Sequence, residues 1–91
     1  MDTALKFVAD ELERLLALPL RSKGDLDAWY LQARKLQKAV KEHAVELPEE
    51  VWHFLADADT RSKPHEAEYR ALQEEMVRKC IEALRSAAYA S

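Results

Sequence analysis

Apolar residues recur along this chain at steps of three and four, in four runs separated by punctuation. Leu5, Val8, Leu12, Leu15 and Leu16 form the first, with Asp2 or Thr3 placed to cap it and Pro19 to end it. The connection LPLRSKGD holds the only glycine, Gly24, and leads to a second helix starting at Ser22 or Asp25. At about 100° per residue, Leu26, Trp29, Tyr30, Ala33, Leu36 and Val40 share one side of it. Pro48 suits the first turn of a third helix, Glu49 and Glu50 complement its positive dipole end, and Val51, Phe54, Leu55 and Ala58 make its stripe. TRSKP breaks the chain again, and Pro64 starts a fourth helix, the longest.

The expected helices are therefore about 3–18, 25–44, 48–60 and 64–88. Short connections make sequential helices antiparallel, so the pattern predicts an all-α fold, a small up-and-down four-helix bundle in a single domain, 1–91. A three-helix bundle with a kinked last helix is the variant. One mismatch stands out: at 1.5 Å per residue the fourth helix would span roughly 38 Å and the third about 20 Å. Either its last turns fray or they pack on something outside the chain. The apolar positions of this helix, among them Tyr69, Leu72, Met76, Ile81 and Leu84, cover about half its circumference, more than the ~100° stripe of a surface helix. Such a helix either touches two neighbours inside the bundle or offers a face to a partner.

Composition agrees with the helical reading. Fifteen alanines and thirteen leucines stand against five valines, one isoleucine and two threonines, and the β-branched types that strands prefer are the scarce ones. Acidic residues interrupt the apolar N-terminal stretch MDTALKFVADELERLLAL, so it reads as neither signal peptide nor membrane span. With one cysteine, Cys80, no internal disulfide is possible, and a cytoplasmic location is expected. Cys80 falls mid-stripe, as a small buried apolar residue rather than a nucleophile.

The stretch 52–69, WHFLADADTRSKPHEAEY, carries the densest potential metal or acid–base chemistry. Counted around the helix from Val51, His53 and Asp57 fall almost opposite the core, while Asp59 lies on the flank beside Trp52. Asp59 is expected to cap this helix or pair with Arg61. His65 and Glu68 lie beyond the turn, so a site made of His53, Asp57, Asp59, His65 and Glu68 requires the TRSKP turn to fold back. The spacing fits none of the stringent metal motifs, and no cofactor is expected. Trp52, at the edge of its stripe, is a candidate contact residue, because aromatic side chains are enriched at interfaces.

The net charge of −3 weighs against nucleic acid as a partner. The one concentrated basic face is Arg34, Lys35, Lys38 and Lys41, and the helix following it is acidic where a recognition helix would be basic. The favoured expectation is a non-catalytic helical protein of regulatory or adaptor type. It would act through protein–protein contact or as a homodimer, with Trp52, Tyr69, Met76, Ile81 and Leu84 as interaction residues. A metal-dependent site in the 53–68 region is the alternative, nucleic-acid binding along the second helix a third reading, and a membrane partner is not expected.

Overall fold

The computed structural model describes residues 2–90, which form an all-α bundle. Helix α1 spans Thr3–Ala17, α2 Lys23–Glu42, α3 Glu49–Ala56, α4 Ala58–Arg61 and α5 Ala67–Ala90, with a 3-10 turn at Pro64–Glu66 leading into α5.

Local chemistry sets each boundary. Asp2 caps α1, accepting the N–H groups of Ala4 at 3.0 Å and Leu5 at 3.2 Å. Ser22 caps α2 by accepting the Asp25 N–H at 3.1 Å. At the other end of α2 the chain leaves through Ala44, whose φ is 52°. The Val45 N–H returns to the Val40 carbonyl at 3.0 Å and the Ala44 N–H to the Lys41 carbonyl at 3.3 Å. That pair of bonds is the Schellman closure, here with alanine where glycine is usual.

The expected third helix, 48–60, is interrupted. It breaks at Asp57 (φ −108°, ψ 23°), which divides it into α3 and the single turn α4. The expected fourth helix, 64–88, begins as the 3-10 turn and becomes α-helical at Ala67.

α1 packs against α2 and α5, α3 against α5, and α4 against both α2 and α5. The α1–α5 pair is antiparallel: the Asp2 N–H donates to the Ala88 carbonyl at 2.9 Å, and further along Arg85 bridges Asp10 at 3.0 Å and Glu13 at 2.7 Å. The length mismatch is thereby accounted for. The first half of α5 covers α3 and the second half covers α1, so its last turns pack on a neighbour within the chain; Ala88 is buried. A helix with two neighbours needs a broad apolar face. The core joins Val8, Leu12 and Leu15 of α1 to Trp29 and Leu36 of α2, Phe54 and Leu55 of α3, and Val77 and Ile81 of α5.

Candidate functional site

The five candidate ligands His53, Asp57, Asp59, His65 and Glu68 are not brought together. His53 lies 3.5 Å from Glu49 on its own helix, and His65 3.6 Å from Glu66. Asp57 accepts the Tyr69 hydroxyl at 2.7 Å and the Gln73 amide at 3.4 Å. Asp59 turns to the other side, where the Tyr30 hydroxyl lies 3.2 Å from its carboxylate and accepts its N–H at 3.2 Å. Glu68 is exposed on the first turn of α5. Among the described residues no group of three His, Cys, Asp or Glu is arranged to hold a metal ion.

The residue that organises this region is one for which a surface pairing was expected. Arg61 does not pair with Asp59; it turns inward and is only 2% exposed. Its guanidinium carbon sits 4.1 Å from the centre of the Phe54 ring and 4.8 Å from that of Trp29, a cation lodged between two aromatic faces. Nη1 donates to the Phe54 carbonyl and to Gln73 Oε1, both at 2.7 Å, while Nη2 is buried with no partner among the described residues. Gln73 relays the network by donating to the Tyr69 hydroxyl at 2.8 Å. Removal from water pulls the Arg61 pKa down to about 10, with the carboxylate of Glu74 the largest opposing influence. The helical count held a signal for this: Arg61 stands seven residues after Phe54 and three after Ala58, on the core side of the stripe.

A different surface is apolar and open. Between α3 and the first half of α5 runs a shallow groove floored by Val51 and Cys80 and walled by Tyr69, Leu72 and Met76, with Pro48 at one end. Leu72 is 57% exposed and Met76 38%. The ionisable side chains along it are Glu50 and His53 on the α3 side and Lys79 on the α5 side. Trp52 is half-buried against the core and is not among the lining residues. Ile81 and Leu84, expected at an interface, are 4% and 8% exposed because they face the core. Tyr69 and Met76 thus remain on an accessible face, whereas Ile81 and Leu84 do not. Burial raises the pKa of the Cys80 thiol.

The basic face of α2 is solvent-exposed. Lys38 lies 3.9 Å from Glu42, and Arg34, Lys35 and Lys41 have no ion-pair partner among the described residues. Exposed Leu31 stands within this face. No described helix is long and apolar enough to cross a membrane.

No protein-family model matches the chain, and no curated protein or solved structure is significantly similar to it.

Proposed function

We propose that this chain is a non-catalytic interaction module of regulatory or adaptor type, and that it binds another protein through the groove between α3 and α5. The observation that carries the reading is the exposure of Leu72 and Met76 on the wall of a groove whose floor, Val51 and Cys80, is also apolar. Large apolar side chains scattered singly are ordinary; grouped around a concave apolar floor they mark a contact surface. A cytoplasmic setting goes with this role, since Cys80 then stays a free thiol.

Affinity capture with wild-type protein and with Leu72→Glu tests the proposal, using Leu31→Glu as the control because Leu31 is equally exposed, lies on α2 and does not line the groove. A partner retained by the control and lost with Leu72→Glu supports it. A partner lost equally with both substitutions, or with neither, overturns the assignment to this groove. Light scattering on the same proteins separates self-association from binding of a different chain: a homodimer sensitive to Leu72→Glu identifies the partner as a second copy.

A further inference from the structure

Resting on that groove reading, we infer that the occupant is an amphipathic helix of another protein whose apolar stripe is flanked by lysine or arginine. The shape comes from α5. At about 100° per residue, Leu72, Met76, Cys80, Ala83 and Ala87 fall within one sector of roughly 80°, displaced from the core-facing Val77, Ile81 and Leu84. Cys80 is partly covered and the other four are exposed. From Leu72 to Ala87 the stripe runs about 22 Å, the length of four helical turns. It passes from large side chains beside α3 to alanines beyond the N-terminal end of α3, where a second helix can approach the α5 backbone closely.

The charge comes from the edges. On the α3 edge Glu50 lines the groove, with His53 beside it. On the α5 edge Lys79 lines the groove 3.8 Å from Glu75, and exposed Glu68 stands one turn before Leu72. Three glutamates, Glu50, Glu68 and Glu75, against one lysine make an acidic rim around an apolar floor, and a rim of one sign selects the opposite sign in its partner. The same rim disfavours a symmetric pair of copies joined through this groove, because it would set glutamates against glutamates. The basic face of α2 in another copy has the right charge, but of the exposed large apolar residues only Leu31 lies on it.

Amide NMR of the full isotope-labelled chain provides the test. It uses two designed 18-residue helical peptides that share a leucine stripe, one with lysine and the other with glutamate at the flanking positions. The expected result is that the lysine peptide shifts the amides of Glu50, Leu72, Met76 and Ala83. Its affinity should fall as salt rises, and by about tenfold in the doubly substituted Glu50→Gln, Glu75→Gln chain, the scale of two exposed ion pairs. All substituted side chains are exposed, so folding is retained. Equal binding of the glutamate peptide at these amides overturns the charge inference and leaves the groove reading standing. Failure of both peptides to move these amides at millimolar concentration overturns both. Shifts of the lysine peptide confined to other residues overturn the inference, as do concentration-dependent shifts at these amides with no peptide present, which identify a second copy as the occupant.

Discussion

The guanidinium of Arg61 lies against the ring of Phe54, 4.1 Å from its centre, and donates to the carbonyl of the same residue at 2.7 Å. One side chain thus ties α4 to the middle of α3 across the break at Asp57. The charge is costly to hold there. Its pKa of about 10 lies below the ordinary guanidinium value, so the unfolded chain binds the proton more tightly. The resulting penalty, on the order of 3 kcal/mol, is present at neutral pH and fades only as pH rises through that interval. Arg61→Ala removes the penalty but leaves a cavity between two rings and strands the Phe54 carbonyl and Gln73; we expect a loss of about 3 kcal/mol. Arg61→Met fills most of the space without a charge and should cost less than about 1 kcal/mol. Urea unfolding of the two variants measures the difference, and equal losses would show that the rings recognise the cation rather than its volume.

Ala44 occupies a left-handed conformation, φ 52°, at the end of α2. A β-carbon is disfavoured there by about 1 kcal/mol, and glycine carries no such cost. Ala44→Gly should therefore raise the melting temperature, by about 4–8 °C for each kcal/mol gained in a domain of this size. Ala39→Gly, inside the same helix, should lower stability by about 1 kcal/mol. Thermal unfolding followed by circular dichroism compares them directly.

The two faces of α5 should respond oppositely to substitution. Ile81→Ala empties core volume and is expected to cost about 2–4 kcal/mol, whereas Leu72→Ser, at an exposed position, should change stability by less than about 0.5 kcal/mol. Chemical denaturation separates the two outcomes. A large loss at Leu72 would place it in the core and remove it from the groove wall.

Cys80 reports on the groove floor. Burial raises its pKa, so at any pH below that value the folded chain carries less thiolate than the unfolded one. Iodoacetamide should modify folded protein more slowly than denatured protein, and the rate should climb at a higher pH. A helix lying in the groove should slow the reaction further.

The ion pair of Asp10 with Arg85 predicts a specific acid response. The hydrogen bond from Arg85, with Lys6 assisting, holds the Asp10 carboxyl below its ordinary pKa. The stabilisation is complete above the ordinary carboxylate value and is lost as pH falls through the lowered one. Wild type and Asp10→Asn should differ in stability at neutral pH and converge as pH falls through the lowered carboxyl value, as titration of the unfolding midpoint would show. Added salt should narrow the neutral-pH gap, because the pair is exposed.

Much of the fold was legible in the spacing of apolar residues. Trp29, Ala33, Leu36 and Val40 are buried along α2, and Val51, Phe54, Leu55 and Ala58 along α3 and α4, because in a small bundle a three-and-four repeat has one face to bury. Asp2 and Ser22 cap their helices as side chains of that type do. What periodicity could not supply is where a helix stops mattering locally and a distant partner takes over. The width of the α5 face fitted either an internal or an external neighbour, and the choice rests on residues far apart in the chain, such as Asp10 and Arg85. Arg61 was missed for another reason: a charged residue near a helix end is ordinarily solvated, and only the pairing of two aromatic rings from different helices gives it a place inside. Ile81 and Leu84 share the broad apolar face with Met76 and Leu72, and position along one helix cannot tell which part of that face α1 and α3 will cover.

Because α5 covers α1, the bundle cannot close in the order in which it is made. α1 emerges from the ribosome with Val8, Leu12 and Leu15 turned toward a helix not yet synthesised. The stretch of about 70 residues separating the ends of α1 and α5 takes roughly 4–15 s to add at ordinary elongation rates. During that interval only the α1–α2 hairpin is available to shelter those side chains. The hydrogen bond from Asp2 to Ala88 is thus a late event in the life of the chain. A chaperone that binds Leu12 and Leu15 would reach them in the nascent protein and not in the finished one, where both are buried.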